Sequence, residues 1–115
     1  MCTNMQLKKL TSDMVQEYRR VYGKDIETIL LFGSYARGDQ GNDSDVDIVA
    51  IVHGERMDLQ ERLKEIWDVS VDIGLENDVV VSATVIPFDE FEMFKRILPY
   101  YINIVKEGVE IGWVG

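Results

Sequence analysis

The sequence predicts one small α/β domain in which helices flank a mixed β-sheet. Three short segments rich in β-forming residues alternate with longer segments whose apolar residues recur every three or four positions. The chain has 115 residues, which is the length of one domain and too short for a second independent core. We therefore expect residues 1–115 to form a single domain with the element order α-β-β-α-β-α.

The chain should begin with a helix that ends at Gly23, a residue well suited to stop helices. Residues 26–32 then predict a strand because they are rich in β-formers. The apolar positions that give the helix one buried face are Met5, Leu7, Leu10, Met14, Val15, Tyr18 and Val21.

A polar, glycine-rich loop separates the first predicted strand from the second. The loop covers residues 33–44 and has room for one short helix at Ser34–Arg37. Residues 46–53 predict the second strand, whose nearly continuous apolar run after Asp47 indicates burial on both faces.

A long helix should follow, capped by Asp58 with Glu61 as its capping-box partner and running close to Leu75. Because Trp67 shares the apolar face of this helix, we expect its ring in the core. The other members of that face are Leu59, Leu63, Ile66 and Ser70.

Residues 79–86 predict a third strand, closed by Pro87. Asp89 and Glu92 repeat the capping pattern before a last helix, which Pro99 should kink or restart. The aromatic and aliphatic stripe of this helix is either core or, in part, a partner interface. Its members are Phe91, Phe94, Leu98, Tyr101, Ile102 and Val105.

The composition limits the possible partners of the chain. Twenty-one acidic and 12 basic residues give a net charge of −9, which disfavours strong nucleic-acid binding but suits a basic protein partner. Cys2 is the only cysteine, so an intramolecular disulfide is impossible. No apolar run is long enough to span a bilayer, and residues 1–10 lack a signal-peptide core, so we expect a cytoplasmic location without membrane association.

Asp45 and Asp47 are the first feature that points to chemistry. Residues two apart in a strand project from the same face, so these carboxylates should stand side by side. Their repulsion would be relieved by a divalent cation such as Mg²⁺, which takes carboxylate and phosphate oxygens as ligands.

Gly33 and Ser34 form a second feature directly after the first predicted strand. Glycine allows a ligand to approach the backbone closely, and a helix that starts here would favour a phosphate at its N-terminus. Ten residues separate Ser34 from Asp45, enough for the chain to turn and return on a neighbouring strand. Arg37 is near enough to neutralise phosphate charge, although a surface ion pair is an equal alternative.

The pattern of Gly33-Ser34, ten residues and Asp45-x-Asp47 resembles the signature of the DNA polymerase β-like nucleotidyltransferases. The fuller text GSYARG…SDVDIVAIV is similar to the minimal nucleotidyltransferase (MNT) branch, whose members commonly pair with HEPN-domain proteins as antitoxin with toxin. The resemblance implies the polymerase β-like fold for the whole chain.

The resemblance also implies an activity. Asp45 and Asp47 would be catalytic residues that hold two Mg²⁺ ions, while Gly33, Ser34 and Arg37 would bind the nucleotide. The expected reaction transfers a nucleoside monophosphate, AMP from ATP, to a hydroxyl group. Because the chain has no room for a substrate-binding domain, the expected acceptor is a HEPN partner protein. Modification of an antibiotic-like small molecule is less favoured, since those transferases need a second domain.

One departure from the family pattern leaves activity open. The family usually carries a third carboxylate in a later strand, but residues 79–86 contain only Ser82 and Thr84 as polar side chains. Asp78 is the nearest substitute, Glu76 lies further away, and a partner residue could also serve. The alternative to an enzyme is a degenerate, non-catalytic module that neutralises its partner by binding it. The acceptor, the nucleotide preference and the existence of a homo-oligomer remain open.

Other motifs are less well supported. A calcium loop counted from Asp43 would need glycine and glutamate where the chain has Ile48 and Gly54, and the Gly-Lys-Ser/Thr of a P-loop is absent. His53 has no second histidine, so we expect it to be structural or exposed.

Overall fold

The computed structural model describes residues 2–112, which form five α-helices and four strands. A 3₁₀ turn at Gly23–Asp25 joins the first helix to the first strand. Within this described range no helix is both long and apolar enough to cross a membrane. In chain order the elements are α1 (Asn4–Tyr22), β1 (Ile26–Phe32), α2 (Ser34–Arg37), β2 (Val46–Val52), α3 (Arg56–Asn77), β3 (Val81–Pro87), α4 (Phe88–Phe94), α5 (Pro99–Glu107) and β4 (Val109–Gly112).

The four strands form one mixed sheet in the order β3-β2-β1-β4. β2 runs parallel to β3 and antiparallel to β1, and β4 is antiparallel to β1. The predicted mixed sheet is therefore confirmed, but β4 was not among the predicted strands. β4 has only four residues, which is too few for an alternation of apolar and polar side chains to be recognised. Its backbone groups are satisfied by pairing with β1, a long-range contact that the local sequence does not specify.

β2 is the buried centre of the sheet, as its apolar run predicted. Val46 and Ile48 face a core shared with α1 and α3, whereas Val49 and Ile51 face a smaller core under α4 and α5. Each of these four side chains is at most 2% exposed. The sheet is thus a middle layer between two helical layers, with Asp47 on the α4–α5 face by alternation.

The predicted start of α3 was wrong. Asp58 does not cap this helix: Glu55 is the N-cap, and Asp58 lies in the first turn, where its Oδ2 accepts a hydrogen bond from Arg62 at 3.0 Å. The helix also runs two residues past Leu75, to Asn77. It ends at Asp78, whose left-handed backbone (φ 53°) turns the chain toward β3.

The single last helix predicted from Asp89 is two helices. α4 begins at Phe88, so Asp89 lies in its first turn, near the positive end of the helix dipole, and is not the cap. Pro99 occupies the first turn of α5, where its missing N–H needs no partner. The predicted restart at Pro99 is therefore confirmed.

Several apolar side chains expected in the core are on the surface. Met5 is 84% exposed because it lies on the side of α1 away from the buried residues, and Trp67 is 45% exposed because it lies at the edge of the buried face of α3. Leu98 and Val105 in the last stripe are also exposed, whereas Tyr101 is buried. Helical spacing alone therefore predicted more buried apolar side chains on these helices than the sheet covers.

Candidate functional site

The end of β1 and the start of β2 lie side by side because the two strands are antiparallel. Phe32, the last residue of β1, pairs directly with Asp47. Gly33 and Ser34 follow Phe32 immediately, so the register brings the glycine-serine turn beside the carboxylate pair. The interpretation of the ten-residue spacing as a turn and return on a neighbouring strand is confirmed.

Gly33 has a backbone that other residues rarely adopt, with φ at 77° and ψ at −156°. A Cβ atom at this position would lie 2.6 Å from Oδ2 of Asp47. That separation is closer than non-bonded carbon and oxygen atoms approach, so a side chain here would displace the carboxylate. Gly33 therefore supports both the turn and the position of Asp47.

Ser34 begins α2, a single helical turn. The carbonyl of Gly33 accepts hydrogen bonds from the N–H groups of Ala36 and Arg37, each at 3.1 Å. The N–H groups of Ser34 and Tyr35 precede these bonds and belong to the donors that a helix leaves without an intrahelical partner. The buried Tyr35 ring holds the turn in place, and its hydroxyl accepts a hydrogen bond from the Cys2 N–H at 3.4 Å.

Asp45 and Asp47 lie close enough for their charges to interact, but their environments differ. Asp45 is exposed just before β2, and Asp47 is half-buried within it. Burial, followed by the charge of Asp45, raises the pKa of Asp47, while Arg37 opposes the shift. The ionised pair is therefore an unfavourable arrangement that a bound cation would stabilise.

Arg37 lies close enough to influence Asp47, but two other carboxylates hold its guanidinium. Its Nε donates to Asp39 at 3.0 Å and its Nη1 to Glu107 at 2.9 Å. The second contact connects the turn to the end of α5. The side chains of Arg37, Asp39 and Glu107 are all partly exposed, so their ion pairs contribute little to stability. Arg37 can therefore exchange these carboxylates for a phosphate group at little cost in free energy.

On the other side of β2, Ser82 stands in register with Asp47. Neighbouring strands present paired residues on the same face, so Ser82 and Thr84 continue the polar face beyond Asp47. No carboxylate occurs between Val81 and Pro87. Asp78 lies outside this strand, yet it borders an open cavity of about 370 Å³ together with Asp45.

Aromatic residues form one border of the site and were not predicted as part of it. Phe32 shares the face of Asp47, and the half-exposed Tyr100 packs against it edge-on, with ring centroids 5.9 Å apart. Sequence spacing could not reveal this contact, because Tyr100 comes from the first turn of α5. His53 lies outside the site, where it pairs with Glu27 and packs near Phe88.

No cluster of three or more Asp, Glu, His or Cys residues within the described range could hold a metal by itself. Mg²⁺ commonly binds through one or two carboxylates and completes its shell with phosphate oxygens and water. Asp45 and Asp47 fit that kind of site, in which a nucleotide supplies the remaining ligands.

A model of the nucleotidyltransferase domain family matches residues 7–111 of this chain. The chain therefore belongs to the nucleotidyltransferase domain family, and its mixed sheet flanked by helices is the fold of that family. This confirms the membership inferred from Gly33-Ser34 and the Asp45/Asp47 pair.

Individual relatives agree with this placement. The chain is 31% identical over 106 residues to a Methanocaldococcus jannaschii protein named "putative protein adenylyltransferase"; the match covers 90% of this chain and 96% of that one. It superposes on a mutant of the toxin–antitoxin pair MntA–HpeT with a TM-score of 0.58 and 16% identity, covering 90% of this chain and 73% of that one. A toxin–antitoxin structure with AMP-PNP gives a TM-score of 0.51 at 18% identity, with coverage of 89% and 73%.

Proposed function

We propose that this chain is a metal-dependent nucleotidyltransferase that moves AMP from ATP to a hydroxyl group of a partner protein. The observation that carries the proposal is the packing of Gly33 against Asp47 beside Asp45. This packing places a turn of backbone donors next to two carboxylates that repel each other. The names of the relatives, a protein adenylyltransferase and a toxin–antitoxin complex with AMP-PNP, support the same nucleotide and a protein acceptor.

Each residue has one task in this proposal. Gly33 and Ser34 hold the β- and γ-phosphates through backbone N–H groups and the serine hydroxyl. Asp45 and Asp47 hold Mg²⁺, which supplies charge neutralisation at the α-phosphate when it is bound. Arg37 exchanges Asp39 and Glu107 for a phosphate oxygen. The exposed ring of Tyr100 offers a surface for the adenine base.

The transfer forms one bond and breaks another. The acceptor oxygen attacks the α-phosphorus, the bond from the α-phosphorus to the bridging oxygen breaks, and pyrophosphate leaves. The acceptor's proton passes to water, because β3 places the hydroxyl of Ser82 beside Asp47 where a carboxylate base would be expected. Positioning and charge neutralisation then provide most of the catalysis.

The partner in this proposal is a HEPN-domain protein, and the chain acts as its antitoxin. The test uses a candidate HEPN-domain partner protein, Mg²⁺ and ATP labelled in either the α- or the γ-phosphate. We expect label from the α-phosphate on the partner and none from the γ-phosphate, with no transfer by Asp45→Asn. Absence of α-label transfer by the wild-type chain, at any partner concentration, would contradict an enzyme.

The second candidate is a non-catalytic module that neutralises its partner by binding alone. The observation in its favour is the absence of a carboxylate between Val81 and Pro87. This candidate predicts that Asp47→Ala still neutralises the partner in a growth assay. Loss of neutralisation by a folded Asp47→Ala protein would contradict it and favour the enzyme.

A further inference from the structure

The second half of α3 presents an apolar stripe to solvent. Trp67, Val71 and Leu75 are spaced by four residues and therefore lie along one side of the helix. They are 45%, 60% and 77% exposed, and Val80 beside them is 62% exposed. We call these four residues the α3 surface. Side chains of this size are seldom grouped in the open on a small domain unless they meet a partner.

The α3 surface is continuous with the candidate site. An open groove of about 400 Å³ is lined by Trp67 and Val71 together with Asp45, Ser82 and Thr84. Leu75 and Val80 border the adjoining cavity, which also includes Asp45. The Trp67 ring is fixed as the wall of the groove because its Nε1 donates to the Ala83 carbonyl at 2.9 Å, on the open edge of β3.

The charged residues that alternate with the stripe along α3 are all acidic. Asp68, Asp72 and Glu76 each follow a residue of the stripe and form an exposed acidic row beside it. No lysine, arginine or histidine occurs between residues 65 and 94. A second copy of this acidic chain would be repelled, whereas a segment with apolar and basic side chains would match both the stripe and the row.

The position of the α3 surface also suits the binding of the acceptor, which is one of the two substrates of the proposed transfer. Gly33 and Ser34 lie on the β1 side of Asp47, whereas Ser82 and the groove lie on the β3 side. If the triphosphate occupies the β1 side, the attacking hydroxyl must approach from the opposite side for an in-line displacement. We propose that the α3 surface docks a basic polypeptide segment that carries the acceptor hydroxyl. The docking role rests on the proposed transferase function, which supplies the need for an acceptor.

The experiment uses two fluorescein-labelled peptides of about 15 residues, a length that can cover such a groove. One combines leucine, lysine and arginine around a single tyrosine, and the other has glutamate at every basic position. We expect the full chain to bind the basic peptide at least about tenfold more tightly in fluorescence anisotropy. Val71→Ser and Asp72→Lys should each weaken that binding about tenfold, or by roughly 1.4 kcal/mol.

Matched controls separate docking from general attraction to an acidic protein. Met57→Ser removes an 85% exposed side chain from the other end of α3, and Glu61→Lys makes the same charge change there. Both should bind the basic peptide as the wild type does. Equal binding by Val71→Ser and Met57→Ser, or no preference of the wild type for the basic peptide, would overturn the docking surface. Titration with Mg²⁺ and ATP tests the transferase site separately and should give the same affinity for Val71→Ser and the wild type.

Discussion

Gly33 and Asp47 pack so closely that a methyl group on the glycine would lie 2.6 Å from Oδ2 of the aspartate. The contact joins the turn after β1 to the second residue of β2. A side chain added at Gly33 would therefore also displace the half-buried carboxylate of Asp47. The phosphate-binding and metal-binding parts of the proposed site therefore depend on one backbone position.

Gly33→Ala should disrupt the site through this contact. We expect a loss of stability of about 3 kcal/mol, from both the left-handed backbone and the contact with Asp47, together with a large loss of ATP affinity. Gly38→Ala is the matched control, because Gly38 also has a positive φ (81°) but nothing lies within 4 Å of its Cβ position. It should cost only about 1 kcal/mol and leave ATP binding intact. Equal effects of the two changes in urea unfolding and nucleotide titration would contradict the close contact.

Asp47→Asn should remove activity and stabilise the fold. Burial and Asp45 raise the pKa of Asp47, so its ionisation opposes folding at a pH above that raised value. The penalty disappears in acid, below the ordinary pKa of aspartate, where the side chain is protonated in both states. Without metal at neutral pH, we expect a melting temperature about 1–3 °C higher, limited by solvent screening. Thermal unfolding across pH checks this. A lower melting temperature of Asp47→Asn than of the wild type at neutral pH would contradict this prediction. Addition of Mg²⁺ should raise the melting temperature of the wild type but not that of Asp47→Asn.

Ser82→Asp should supply the carboxylate that β3 lacks. The register places this side chain across from Asp47, where it could accept the proton of the attacking hydroxyl. We expect AMP transfer to the partner to rise about tenfold to a hundredfold, as positioned general bases commonly provide. Ser82→Asn has nearly the same shape without the charge and should not accelerate transfer. An unchanged rate in Ser82→Asp, with ATP affinity retained, would show that the proton has another route.

Glu90 should stabilise the α4–α5 layer in a pH-dependent manner. Its carboxylate accepts hydrogen bonds from Arg56 and Tyr101, which lower its pKa. The stabilisation is therefore complete above the ordinary pKa of glutamate and is lost as the pH falls through the lowered value. Glu90→Gln should cost at most about 1 kcal/mol at neutral pH, since Arg56 is half exposed. Urea unfolding should show no difference between the two proteins in strong acid; a difference that persists there would contradict the assignment.

The sequence predicted those parts of the fold that depend on local pattern. β1, α2 and the buried β2 were predicted because composition and glycine placement act within a few residues. The prediction that Asp58 and Asp89 are helix caps was wrong because a carboxylate suits the first turn as well as the cap position. β4 was missed because four residues carry little pattern of their own, and its pairing with β1 is a tertiary effect.

The sequence predicted the residues of the candidate site that lie near each other along the chain. It did not predict the residues that other strands and helices bring to the site. The spacing from Gly33 to Asp47 indicated the arrangement that the β1–β2 register produces. The positions of Ser82 and Tyr100 required the pairing of β3 and the packing of α5, which no local pattern specifies. Trp67 was expected in the core for the same reason: spacing gives the helix face but not how far the sheet extends beneath it.

In the proposed site, Asp45 and Asp47 together with the Gly33-Ser34 turn bind a nucleoside triphosphate through Mg²⁺. Isothermal titration of the chain with a non-hydrolysable ATP analogue, with Mg²⁺ and then with excess chelator, measures this directly. We expect binding with Mg²⁺ that weakens at least about tenfold in chelator and in Asp45→Asn. Equal affinity with and without Mg²⁺, or unchanged affinity in Asp45→Asn, would contradict it.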